Sequence, residues 1–244
     1  FNRGRRNAMT IAKEGPDYYA TPEPIGYKMV QWLYPSGNDH LLEPSAGHGA
    51  IARYFPENTV NKFVEPSYQL RADLSINATG VIIPSTFQEL NIINKFKGIA
   101  MNPPSCPGGS TAIQHLEKAM RHLEDGGRIV AILPENTLVI NRLEKLGKRS
   151  SNIENDADFF VTGRVDLPLV AFRRAESQTF QIARSMIVVI DKQRTPEVQK
   201  QMPKLVYHDL SMTNDVNDLF ERIKGLEMPG KITPQYTAGL FNGV

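Results

Sequence analysis

Apolar residues in this chain fall into two spacings that alternate along its length. Short runs of strand length stand at residues 39–43, 60–65, 80–84, 97–101 and 127–133, and a final pair of strands, read as a hairpin, runs from Phe159 to Ala171 and from Met186 to Ile190. Between them the apolar positions recur at helical spacing. Ile25, Met29, Val30 and Leu33 predict a helix over Glu23–Leu33, with Pro22 suited to its first turn. Ile113, Leu116, Met120 and Leu123 predict another, stopped by Gly126-Gly127. Leu143 and Leu146 place a helix within 135–157, and Val216–Leu226 reads as an amphipathic helix. Strands that alternate with helices build a parallel sheet with both faces covered. The longest apolar runs, such as Met186–Ile190, reach strand length only, too short for a membrane-spanning helix.

Three strand ends carry chemistry. Asn102-Pro103-Pro104 closes the run Ile99-Ala100-Met101 and precedes the turn-rich Ser105-Cys106-Pro107-Gly108-Gly109. A side-chain amide oxygen and the carbonyl of Pro103 can both accept hydrogen bonds from an NH2 group whose lone pair is otherwise delocalised. Proline suits the bend because it fixes φ and brings no competing N–H. As a turn alone, Asn-Pro-Pro is ordinary. Upstream, Leu41-Leu42-Glu43-Pro44-Ser45-Ala46-Gly47-His48-Gly49 reads as a strand, a glycine bend and the start of a helix through Ile51, Ala52, Tyr54 and Phe55. Its glycines let backbone approach a ligand, and a helix start offers N–H groups. The pattern is neither Gly-x-Gly-x-x-Gly nor a Walker loop, which argues against a pyrophosphate ligand. Phe63-Val64-Glu65-Pro66 ends a further strand in an acid, at the spacing from the glycine bend that suits ribose hydroxyls.

In this order, Ala20-Thr21-Pro22-Glu23-Pro24, the glycine bend, Glu65 and Asn102-Pro103-Pro104 resemble the motif series of S-adenosylmethionine-dependent N6-adenine DNA methyltransferases, in the gamma-like arrangement. The segment from Thr111 to Met120 and the run Gly126–Pro134 look like methylase domains of phage and mobile-element proteins. The resemblance covers about residues 17–192. It implies an α/β, Rossmann-like methyltransferase fold: a mostly parallel seven-stranded sheet with a C-terminal β-hairpin and helices on both faces. S-adenosyl-L-methionine is the implied cofactor and DNA the implied partner. Thr21 would touch the methionine carboxylate; Glu43 with the backbone of Ser45, Ala46, Gly47 and Gly49 would hold the methionine end; Glu65 would hold the ribose and Phe87 would pack on the adenine. Asn102, also at the cofactor's edge, would orient the target amine with Pro103, in a catalytic bend completed by Pro104 and Ser105.

Three positions depart from the family pattern. Ser105 stands where an aromatic residue usually stacks on the extruded base, Thr86 where an Asp precedes the phenylalanine, and Lys97 where an acid opens the strand into Asn-Pro-Pro. These departures keep a second reading open, a methyltransferase-like binding or assembly module without turnover. Asn-Pro-Pro also serves enzymes that methylate an RNA guanine amine or a protein glutamine amide. Cys106 is out of register for a cytosine C5 nucleophile, because Ser105 intervenes after the prolines.

Composition narrows the setting. With 244 residues, 41% of them apolar, the chain can bury one full α/β core. A methyltransferase domain is expected over 9–194 and a short appendage over 195–244, after a basic stretch 1–8 read as a flexible N-terminus or a vector remnant ahead of Met9. The single cysteine allows no internal disulfide and suits a reducing cytoplasm, of a bacterium or a phage-infected cell on the resemblance. No His/Cys spacing suggests zinc, so no metal is expected. A net charge of +2 gives no strong pull towards nucleic acid, although Arg173, Arg174, Arg184, Lys118 and Arg121 could form local basic faces. The appendage is too short for a base-reading domain, so sequence recognition is expected to come from another domain or protein.

Overall fold

A computed structural model describes residues 20–91, 95–104, 107–148, 156–172 and 184–232. In chain order the elements are α1 (Glu23–Trp32), β1 (His40–Glu43), β2 (Val60–Val64), α2 (Tyr68–Asn77), β3 (Val81–Ile83), β4 (Phe96–Met101), α3 (Ser110–His122), β5 (Leu123–Pro134), α4 (Thr137–Leu143), β6 (Phe159–Leu167), β7 (Ser185–Lys192), α5 (Pro196–Gln199), β8 (Val206–Asp209) and α6 (Val216–Gly225). The strands form one sheet in the order β3-β2-β1-β4-β5-β7-β6-β8. All neighbouring pairs are parallel except those made by β7, which runs antiparallel to both β5 and β6.

The inner strands carry continuous apolar runs, Ile99–Met101, Ile129–Leu133 and Met186–Ile190, because both faces are buried there. On β5, Val130 and Ile132 join one core layer with Met29, Trp32 and Leu33 of α1 and Leu219 and Ile223 of α6. Ile129, Ala131 and Leu133 point the other way, into a layer with Leu116 and Met120 of α3 and Val139 of α4. The period of two on the strands meets the 3.6 spacing of the helices on each side.

The sheet has eight strands, not the expected seven, and it continues past residue 194. Val206–Asp209 adds to β6 in parallel, and its residues alternate between half-buried and exposed. Such a short, two-sided edge strand leaves little apolar signal in the sequence. Helix α6 is likewise part of the core: Asp215 caps it by accepting from the N–H groups of Asn217 and Asp218, and Leu219 and Ile223 are fully buried. Beyond it, the Leu226 carbonyl accepts from Lys28 Nζ at 2.8 Å and the Met228 carbonyl from the Tyr34 hydroxyl at 2.7 Å. Arg128, wholly buried, donates to both oxygens of Asp191 at 2.7 and 2.8 Å and to the carbonyls of Trp32 and Pro229.

Three expected elements differ in extent. Leu169–Ala171 lies in a 3-10 turn rather than at the end of the strand expected from Phe159, so β6 stops at Leu167. The helix placed in 135–157 shortens to α4: Gly147, at φ +74°, donates to the Asp156 carbonyl and turns the chain back. Helix α3 ends at His122, ahead of the glycine pair, because Leu123 already pairs with Phe96.

Candidate functional site

The strand order fixes where a site can lie. From β1 the sheet grows to β2 and β3 on one side and to β4 and β5 on the other. Connections therefore leave β1 and β4 in opposite directions and open a crevice beyond their C-terminal ends, where ligands bind in open α/β sheets. Glu43 ends β1, Asn102 follows β4, and Leu42 pairs with Ile99 between them. The glycine bend and Asn-Pro-Pro thus follow the C-terminal ends of two adjacent strands, beside that crevice.

The glycine bend is folded as a tight loop rather than as the expected helix start; only Ala52–Tyr54 forms a single 3-10 turn. Gly47 and Gly49 take φ of +56° and +93°, a conformation unfavourable for side-chain-bearing residues. A Cβ on Gly49 would meet Leu74 and Asn77 of α2 at 3.1 and 3.2 Å. Ala46 donates to the Val64 carbonyl at 3.0 Å, and Asn77 donates to the His48 carbonyl at 2.7 Å. Ser45 is half-buried at the loop's entry. Arg53, which sequence reasoning missed, reaches back to the Gly49 carbonyl at 3.2 Å and pairs with Glu23 of α1.

Glu65 braces this loop from the end of β2. One carboxylate oxygen accepts from Gly47 N–H at 2.9 Å and the other from Ser67 N–H at 2.7 Å, ahead of α2. Glu43 is buried in the same place. Its Oε2 has no hydrogen-bond partner among the described residues, and burial, with Glu65 adding to it, pushes its carboxyl well above the ordinary range. His48 is pushed down to about 4, by burial first and by Arg53 second, and is neutral at pH 7.

Asn102 is half-buried, Pro103 buried and Pro104 exposed. The Asn102 side-chain nitrogen donates to the Thr21 hydroxyl oxygen at 3.1 Å, which brings the segment ahead of α1 into the site. Gly26 allows the approach, since a Cβ there would lie 2.9 Å from the Ala50 carbonyl oxygen. That glycine was the available sequence signal for α1 packing on the bend. Ser105 lies outside the described residues.

Thr21, Glu43, Ser45, Ala46, Gly47, Gly49, Glu65 and Asn102 therefore share one end of the sheet, whereas Phe87 does not open onto it. Phe87 is 2% exposed, between the rings of His115 and His122 at 5.4 and 5.5 Å and beneath Lys118 Nζ. Thr86 is held by Glu89, which accepts from its N–H and its hydroxyl at 3.2 and 2.9 Å in the manner of a capping box. Lys97 sits at the opposite, N-terminal end of β4, paired with Glu124 at 3.3 Å. Of the basic residues, Lys118 is committed to the Gln88 carbonyl, and Arg173 and Arg174 lie outside the described residues. Among the described residues no cluster of His, Cys, Asp or Glu is placed to hold a metal, and no helix is long and apolar enough to cross a membrane.

No protein-family model matches the chain, and no curated protein matches it. Solved structures do. One from Listeria monocytogenes, described as a class I S-adenosylmethionine-dependent methyltransferase, superposes with a TM-score of 0.60 at 13% identity over 91% of this chain and 76% of its own. A modification subunit of a type I restriction enzyme from Vibrio vulnificus matches with a TM-score of 0.60 at 15% identity, over 91% of this chain and 55% of that one. An RNA methyltransferase from Pyrococcus horikoshii matches with a TM-score of 0.56 at 16% identity, over 78% of this chain and 99% of that one. The chain has the fold of the class I S-adenosylmethionine-dependent methyltransferases. It spans about half the length of the Vibrio subunit.

Proposed function

We propose that this chain methylates the exocyclic N6 amine of adenine in DNA, with S-adenosyl-L-methionine as donor. The observation that carries the proposal is the placement of the glycine bend and Asn102 on adjacent strands at the sheet's switch point. The residues suit the donor. Glu43 presents a buried carboxylate oxygen that lacks a partner among the described residues, a fit for an ammonium; the Gly47–Gly49 backbone leaves room for close approach; and Glu65 is fixed by two N–H groups at the end of β2. Bound there, S-adenosylmethionine supplies an electrophilic methyl group on a sulfonium.

The acceptor side belongs to Asn102 and Pro103. Their carbonyl oxygens accept the two N–H bonds of the amine, which draws the nitrogen towards a pyramidal shape and directs its lone pair out of the ring plane. The methylated nitrogen then sheds one proton to solvent. Positioning and fixed dipoles supply the rate, and in duplex DNA the base must leave the stack to reach the bend. The likeness to the Vibrio restriction-modification subunit favours DNA, with sequence recognition contributed by another domain or protein.

The Pyrococcus likeness favours an RNA amine as the second reading. One experiment separates them: mass spectrometry of nucleosides from unmethylated DNA and from RNA after incubation with the chain and donor. N6-methyladenine in DNA, lost in Asn102→Ala, is expected. Full activity in that variant refutes the role of Asn102, and no product in either nucleic acid favours a binding module.

A further inference from the structure

The contact between Asn102 and Thr21 joins the acceptor side of the crevice to the segment that frames its donor side. An asparagine amide has two ends of nearly equal shape and opposite chemistry. If it turns over, the NH2 replaces the carbonyl, and a donor then faces the incoming amine. A hydroxyl alone does not prevent this, because it can donate as well as accept. It does prevent it once its single proton is committed elsewhere.

In the observed arrangement Asn102 donates and Thr21 accepts, at 3.1 Å, so the proton of Thr21 is directed to some other acceptor. Thr21 is 6% exposed and precedes a helix anchored by the fully buried Ile25 and Met29. We propose that Thr21 is a positioning residue acting through Asn102: by donating its proton to an anionic group of the bound donor, its hydroxyl holds the amide with the carbonyl turned to the amine. The inference rests on the methyl-transfer reading, because the donor's carboxylate is the anion it requires. Donor and acceptor sites are thereby coupled: occupancy of the first sets the polarity of the second.

The test is a pair of substitutions. Thr21→Val keeps the shape and removes the hydroxyl; at saturating donor its kcat falls about tenfold, near the upper range for one net hydrogen bond. Thr21→Ser restores kcat to within about twofold by the same reasoning. Unchanged kcat in Thr21→Val, no recovery in Thr21→Ser, or a rise in KM for the donor with kcat intact, overturns the proposal. A second measurement does not need turnover. The side-chain NH2 resonances of Asn102, identified by their absence in Asn102→Asp, shift on saturation with S-adenosylhomocysteine in the wild type and not in Thr21→Val. The same shift in both, or none in the wild type, also overturns it. A wild type that shows the shift but transfers no methyl keeps the relay and refutes the enzymatic reading.

Discussion

Glu65→Gln is the most informative single change, because it alters one atom in a side chain whose two oxygens have different partners. The carboxylate accepts from Gly47 N–H at 2.9 Å and from Ser67 N–H at 2.7 Å, at a position 6% exposed. Glutamine can satisfy one of these donors. Its NH2 then faces the other, which loses its acceptor. A buried N–H left without an acceptor costs about 1–3 kcal/mol. Taking about 2 kcal/mol, and roughly 2–4 °C per kcal/mol for a domain of this size, the melting temperature falls by roughly 4–8 °C. The donor loses a charged acceptor worth about 1.5–3 kcal/mol, so its affinity drops roughly ten- to 150-fold. Thermal melting by circular dichroism and calorimetric titration with S-adenosylmethionine measure the two effects separately. A lower melting temperature with unchanged affinity would reduce Glu65 to a clamp on the loop, and no change in either would refute the reasoning.

Glu43→Gln tests the raised carboxyl. The folded protein holds the Glu43 proton above the ordinary value of 4.5, whereas the unfolded chain releases it there, so Glu43 destabilises the fold progressively as pH rises from 4.5 through its raised value. Melting temperatures of wild type and variant should coincide at low pH and diverge above it in the variant's favour, while the variant binds the donor more weakly. His48 works in the opposite direction: with its imidazole pushed down from 6.5 to about 4, the stability it contributes is present above pH 6.5 and lost as pH falls towards 4. A His48→Gln variant should show a flatter melting-temperature profile across that window. Arg128→Met strands the buried Asp191 and should lower stability by about 3–5 kcal/mol in urea denaturation, with recovery when Asp191→Leu is added. Ser105→Phe supplies a stacking ring worth about 1–3 kcal/mol per base, and DNA affinity should rise roughly ten- to hundredfold; unchanged affinity in a binding titration would show that no base stacks at that position.

What the sequence determined by itself is local in origin. Apolar runs bounded by Gly, Pro and acids located β1, β2, β4 and β5 to within a few residues, because a parallel strand buried on both faces needs an uninterrupted apolar run. The same boundaries placed Glu43, Gly47, Glu65 and Asn102 at strand ends, where an α/β sheet gathers its ligand-binding residues. Tertiary structure alone decided the rest. Thr21 and Asn102 are 81 residues apart and meet because Gly26 lets α1 lie against the glycine bend. Phe87 is enclosed by two histidine rings, and Lys97 is paired with Glu124 of β5. Val206–Asp209 becomes an eighth strand through the edge that β6 offers, and α6 is held by acceptors at Leu226, Met228 and Pro229 that receive Lys28, Tyr34 and Arg128. A hydrogen bond between distant segments depends on where two backbones come to lie, and no spacing along the chain encodes that.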